Sequence, residues 1–154
     1  MQSIASMRGV QFAWPGRKPF TLAVDDFVLA AGERVLLIGP SGSGKSTFLS
    51  LLCGIAAPQR GSVEVLGADV SALSGPARDQ FRAEHFGIIF QMFNLLPYGT
   101  AIDNIVLPLA FARKRRERAS LNSTPRASAL NLMKRLGLDE DLATRTASNL
   151  SVGQ

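Results

Sequence analysis

The sequence predicts an α/β fold with a mainly parallel sheet, and three observations carry that prediction. Gly39-Pro40-Ser41-Gly42-Ser43-Gly44-Lys45-Ser46-Thr47 fits G-x-x-x-x-G-K-[ST], the pattern of a phosphate-binding P-loop. Val35-Leu36-Leu37-Ile38 runs straight into it, a continuous apolar stretch of the kind found in strands covered on both faces. Phe48-Leu49-Ser50-Leu51-Leu52-Cys53 leaves it and stops at Gly54, which reads as a helix and its terminator. The motif therefore stands where its chemistry needs it, between a buried strand and the start of a helix.

That chemistry follows from the backbone. A triphosphate is a dense cluster of negative charge, and the first turn of a helix presents N–H groups with no partner inside the helix. The helix dipole adds about half a positive charge at the same end. Glycines at 39, 42 and 44 permit positive φ and a close approach of the backbone to phosphate. Lys45 supplies a point charge for the β- and γ-phosphates, and the Ser46 hydroxyl is a hard oxygen ligand for Mg²⁺. A chance Gly/Ser turn would not carry the flanking strand and helix.

Length and composition set the frame. The 154 residues make one ordinary domain, and 46% apolar content is that of a folded globular chain. The net charge of +5 raises nucleic acid or an anionic membrane as partners, but the run Arg113-Lys114-Arg115-Arg116-Glu117-Arg118 accounts for it as a solvated face. The one cysteine, Cys53, lies in an apolar run and reads as a buried small hydrophobe in a reducing compartment. The first residues carry no apolar signal-peptide core and no apolar run reaches the length of a membrane span, so the expectation is a soluble, cytoplasmic protein.

Before the loop, Val10, Phe12 and Trp14 alternate with Gly9, Gln11 and Ala13, and Pro15-Gly16 turns the chain. Leu22 and Val24, then Phe27 and Leu29, predict further short strands, with Ala31-Gly32 as the turn into the loop strand. A small antiparallel sheet is thus expected at the N-terminus. Trp14 has two open readings: an aromatic that stacks on a purine base, or a half-buried core ring on the Val10/Phe12 face.

After the loop helix, Pro58-Gln59-Arg60-Gly61 reads as a loop and Ser62–Gly67 as a short strand. Gly75-Pro76 is a break before a short helix from Ala77 to Ala83. His85 has no second histidine or cysteine nearby and is a poor metal ligand. Phe86-Gly87-Ile88-Ile89-Phe90 predicts a second buried strand, followed at once by Gln91. Ligands of open α/β sheets bind at the carboxyl ends of strands, so Gln91 either reaches the phosphate site or merely closes the strand.

Thr100-Ala101-Ile102-Asp103 resembles a capping box, with Ile102, Ile105, Val106 and Leu109 following at helical spacing and Pro108 breaking the helix. Asn122-Ser123-Thr124-Pro125 reads as loop, cap and first-turn proline. Ala129, Leu132, Met133 and Leu136 mark one helical face, stopped by Gly137. The sequence closes on Leu150-Ser151-Val152-Gly153-Gln154.

Trp14 before Pro-Gly, the loop at 39–47, Gln91 after an apolar run and Leu-Ser-Val-Gly-Gln at 150–154 together resemble the ATP-binding subunit of an ABC transporter. Phe90-Gln91-Met92-Phe93-Asn94-Leu95-Leu96-Pro97 and Asp103–Leu109 resemble the branch serving lipoprotein release and macrolide export. The resemblance implies a three-layer P-loop NTPase core with an antiparallel β subdomain and a helical subdomain. It divides the chain into 1–34, the antiparallel β part, 35–91, the P-loop core, and 92–154, the helical subdomain up to the signature motif. It implies Trp14 on adenine, residues 39–47 on the phosphates, and Ser46 and Gln91 on Mg²⁺, with Gln91 also positioning the attacking water. Ser151, Val152, Gly153 and Gln154 would contact ATP held by an opposite subunit. The partners implied are a second ATP-binding subunit and a transmembrane permease that holds the chain at the inner face of the cell membrane; no nucleic acid is expected.

Two departures stand against the family pattern. Val152 occupies a position where the family has glycine, and a stiff β-branched residue would weaken close phosphate contact. None of the twelve acidic residues closes a run of four apolar ones, so the family's acidic strand, with its hydrolytic base, and its later histidine are expected to be missing, along with the C-terminal part of the fold. The alternatives are a nucleotide-binding fragment or inactive paralogue without hydrolysis and, more remotely, a small P-loop kinase.

Overall fold

The computed structural model describes residues 3–16, 20–91 and 94–151. They form two compact units, Met1–Arg82 and Ala83–Gln154.

The first unit is built on a four-stranded antiparallel sheet in the order β2-β1-β3-β4, made of β1 (Ser3–Ala13), β2 (Thr21–Ala30), β3 (Arg60–Val65) and β4 (Ala68–Asp69). Ala5 and Met7 are buried on β1, and so are Val10 and Phe12, so the buried side passes from odd to even residues. A bulge makes the change. The β1–β3 register shifts between Arg8 and Gln11, with Gly9 at φ 56. Leu22/Val24 and Phe27/Leu29, expected as separate strands, lie on the single strand β2, whose inward side changes parity at Asp25-Asp26. Leu66 and Gly67 both take positive φ, as a two-residue type I′ hairpin turn between β3 and β4 requires.

Helix α1 (Lys45–Leu52) lays Leu51 into the core with Met7, Val10, Val63 and Val70. Cys53 at its C-terminal end is half-buried rather than buried, and burial pushes its thiol up against the opposing pull of Arg82. Helix α2 (Gly75–His85) begins on Gly75-Pro76, expected as a break before the helix. Proline costs nothing in a first turn, where its missing N–H would be unpaired anyway.

Two predicted strands are not formed. Residues 35–38 and 86–90 pair with no described strand. Leu36 and Ile38 are each 81% exposed and Ile89 is fully exposed. An apolar run becomes a buried strand only if neighbours supply a ladder and cover its faces. The described residues supply neither, and the sheet they form is antiparallel throughout.

The second unit is helical, with α3 (Ala101–Val106), α4 (Pro108–Phe111), α5 (Arg113–Ser120) and α6 (Pro125–Arg135). Ile102, Ala129, Met133, Leu142 and Ala143 form its core, with Leu130 and Leu138 packed against it. Leu132 and Leu136, predicted for the inner face of α6, are 46% and 69% exposed, because the inward arc is set by Ala129, Leu130 and Met133. Thr124 caps α6 by accepting from Ala127 N–H, with Pro125 in the first turn, and Pro108 divides α3 from α4.

The capping box at Thr100/Asp103 is formed in both directions. Hydrogen bonds from the Thr100 hydroxyl and then from its backbone N–H hold the Asp103 carboxyl below the ordinary aspartate range. A depressed carboxyl stabilises the fold above its unfolded pKa, about 3.9, and that contribution disappears as pH falls through the lower folded value. Helical circular dichroism is therefore expected to fall below about pH 4, and Asp103→Asn is expected to remove that part of the titration. A titration unchanged in Asp103→Asn would contradict it.

Candidate functional site

The loop at 39–47 takes the conformation its glycines allow. Gly42 has φ 79 and Gly44 φ 94, and Gly44 is the N-cap of α1. No side-chain hydrogen bond is made by the N-cap, so the first turn of α1 has no side-chain acceptor there. The Lys45 ammonium folds back over the loop and donates to the carbonyls of Gly39 (2.8 Å) and Pro40 (2.7 Å). It also approaches the Ser43 hydroxyl at 3.4 Å. A cation is thus parked on neutral carbonyls at the rim of an open helix N-terminus. An anion placed there can exchange weaker partners for a charged one.

Room at Gly44 is limited by Leu22 on β2 and by Phe20 just before it. A Cβ at Gly44 would lie 2.7 Å from the Phe20 ring and 3.2 Å from Leu22. The Ser46 hydroxyl is exposed and makes no hydrogen bond among the described residues. As the residue after the lysine, at the helix start, it is a hard, unengaged oxygen that fits a Mg²⁺ ligand.

Trp14 is brought to this loop. Its indole N–H donates to Thr47 Oγ1 at 3.0 Å, and its ring meets Phe12 edge-on with centroids 4.8 Å apart. Trp14 remains 43% exposed, while Thr47 is buried. Sequence reasoning missed Gln59. Its side chain accepts from Ala13 N–H (2.7 Å) and donates to Ala13 carbonyl (2.9 Å), clamping the backbone next to Trp14. The sequence shows Gln59 only as a polar loop residue; its partner is 46 residues away.

Thr47→Val keeps the shape of the side chain and removes the acceptor. It is expected to leave the fold intact at a cost of about 1 kcal/mol and to loosen the indole. Acrylamide quenching of the sole tryptophan should rise; unchanged quenching would contradict the contact.

The remaining predicted residues belong to the second unit or lie outside the described residues. Gln91 is exposed and belongs to the second unit, as does Ser151. Val152, Gly153 and Gln154, together with Met92 and Phe93, lie outside the described residues. Sequence reasoning also missed Glu84. Its carboxylate is buried and accepts from the N–H groups of Lys114 (3.0 Å) and Arg115 (3.3 Å), capping α5 from a distant segment. Arg115 returns the contact through the carbonyls of Glu84 and Phe86. An apolar cavity of about 140 Å³ between Leu95, Ile105, Met133 and Leu150 is too small for a nucleotide. Among the described residues no cluster of His, Cys, Asp and Glu could hold a metal, and no helix is long and apolar enough to cross a membrane.

Residues 22–154 match the ABC transporter family. The chain belongs to that family. Among curated ABC proteins, it is 35% identical to the macrolide export ATP-binding/permease protein MacB of Photorhabdus laumondii, an alignment covering 100% of this chain and 23% of that protein. It is 42% identical to the lipoprotein-releasing system ATP-binding protein LolD of Pseudomonas syringae pv. tomato, over 82% of this chain and 52% of that one. The chain thus spans about a quarter and about half of these ABC relatives. The ATP-binding cassette MJ0796, in a dimeric post-hydrolysis state bound to ADP and Pi, superposes with a TM-score of 0.80 at 30% identity. That match covers 97% of this chain and 64% of the cassette. A second dimeric structure of MJ0796 matches at 0.77. The α/β cassette fold expected from the sequence is the fold these ABC structures share, and both relatives fall in the expected MacB/lipoprotein-release branch.

Proposed function

We propose that this chain binds Mg²⁺-ATP at residues 39–47 and is the nucleotide-binding part of the energising subunit of an export system. The observation that carries the reading is the uncapped start of α1 with the Lys45 ammonium held over the loop beside it. Lys45 leaves the Gly39 and Pro40 carbonyls for the β- and γ-phosphates. The N–H groups of the first turn take the remaining phosphate oxygens. Trp14, fixed by Thr47 and by the Gln59 clamp, offers its exposed ring to adenine. Mg²⁺, when bound, neutralises phosphate charge, with Ser46 and Gln91 as the oxygen ligands this chain contributes. Gln91 also orients the attacking water.

A second cassette and a membrane permease are the partners of the complete system, at the inner face of the cell membrane. The dimeric form of MJ0796 and the ATP-binding/permease description of MacB support that reading. Ser151, Val152, Gly153 and Gln154 belong to the contact made across the dimer. The second reading is nucleotide binding without hydrolysis. It is confined to these 154 residues, none of whose twelve acidic side chains closes an apolar run of four.

Titration of the purified chain with Mg²⁺-ATP, followed by Trp14 emission and by phosphate release, tests both. Saturable emission change without turnover supports binding by a chain that lacks its base. Turnover would require a base from these residues and would sink the second reading. No change in emission and no binding in calorimetry would sink the nucleotide proposal.

A further inference from the structure

We infer that helix α5, with the apolar residues at its two ends, is a contact surface for an anionic phospholipid bilayer. Five of the eight residues in Arg113–Ser120 are basic, and none of the eight is buried. The helix has a defined inner side. Arg115 turns inward to the carbonyls of Glu84 and Phe86, Ala119 is half-buried beside it, and Ala112 just before the helix is fully buried. Lys114, Arg118 and Leu121 follow at i, i+4 and i+7 and share one side of the helix, about 90° round from Arg115, with Arg116 on the other flank of Arg115.

Lys114, Arg116 and Arg118 are exposed and none has an acidic partner among the described residues. The one acidic residue of the helix, Glu117, is taken by Arg113 at 2.8 Å. Apolar side chains stand at both ends. Phe111, one residue before the buried Ala112, is 66% exposed, and Leu121 at the C-cap is 75% exposed.

This combination selects the partner. A nucleic acid would neutralise the cations and gain little from Phe111 and Leu121, and an acidic protein would need an apolar pocket matched to each of them. A bilayer takes both: anionic headgroups for the cations, and the headgroup–acyl boundary for the two apolar ends. An eight-residue helix is about 12 Å long, short enough for both ends to enter one interface together. The glutamate cap is what holds so charged a segment in helical form, since α5 buries no apolar face of its own.

Flotation of the purified chain with vesicles tests the inference, because aggregates do not float. The chain is expected to rise with phosphatidylcholine:phosphatidylglycerol vesicles (about three to one) at about 0.1 M salt and to stay down with phosphatidylcholine alone. Lys114→Glu/Arg116→Glu/Arg118→Glu should weaken binding about a hundredfold. Phe111→Ser/Leu121→Ser should weaken it about tenfold. Lys45→Ala should float like the parent, which keeps this result separate from the nucleotide reading. Circular dichroism checks each variant. If the triple reversal unfolds the chain, Lys114→Gln/Arg118→Gln replaces it and should weaken binding about tenfold.

Failure to float with anionic vesicles would overturn the inference. So would equal flotation with neutral ones, or insensitivity to the charge changes. If Phe111→Ser/Leu121→Ser binds vesicles like the parent and the chain binds heparin equally well, the surface reads anions in general and the bilayer assignment falls.

Discussion

Replacing Lys45 by alanine is expected to weaken Mg²⁺-ATP binding a hundredfold or more while leaving the fold almost as stable as before. The two halves of that expectation have separate causes. Without ligand, the ammonium bonds to two carbonyls at an exposed rim. Solvent-exposed charge contacts contribute between zero and about 1 kcal/mol, and water can replace the ammonium at both carbonyls. With a triphosphate in place, the same ammonium meets concentrated negative charge in a partly desolvated site. Removing one partner of such a pair costs about 2–5 kcal/mol, of which 2.7 kcal/mol already corresponds to a hundredfold. Trp14 emission reads the affinity and thermal unfolding reads the stability. Loss of both together would mean that Lys45 holds the loop itself. Loss of neither would mean that the loop does not hold the nucleotide.

Gly61→Ala is expected to act the opposite way, through the fold rather than the ligand. Gly61 sits at φ 81 on β3, opposite the bulge in β1. A Cβ there would lie 2.4 Å from the carbonyl carbon and oxygen of Gly9 and 2.5 Å from the Arg8 oxygen. Those atoms are backbone and cannot rotate away, and the φ itself is strained for any L side chain. Relief requires parting β1 from β3 at the point where Met7 and Val10 are held on one side. A loss of about 3 kcal/mol or more is expected, from strain and from disturbed packing together. Urea denaturation measures it. A loss below about 1 kcal/mol would show that the two strands are not so close. Gly67→Ala is the useful comparison: its φ is 78, but a Cβ there meets nothing within 4 Å, so only the conformational part should remain.

What the sequence made legible was local. The phosphate loop, the Thr100/Asp103 box and the Thr124-Pro125 helix start are each settled within a few residues, by side chains bonding their own backbone. What stayed illegible was long-range. Gln59 and Glu84 look like ordinary polar residues until the backbone they clamp arrives from 46 and 30 residues away. The bulge at Gly9 is a property of the β1–β3 pair, and only the change of buried parity between Met7 and Val10 hints at it. The strands expected at 35–38 and 86–90 failed for the same reason. Apolar composition states what a segment could bury, and a ladder also needs a neighbour.

Those two segments have a practical consequence. Each presents β-branched side chains, joined in the second segment by Phe90, together with backbone donors and acceptors that no described strand engages. Such a surface is a template for another copy of itself. The shelf life of the purified chain should therefore depend on concentration more than on melting temperature, since two molecules must meet before an edge can be capped. In a crowded cell the same surface would compete for chaperones and proteases, unless a strand-donating neighbour reached it first.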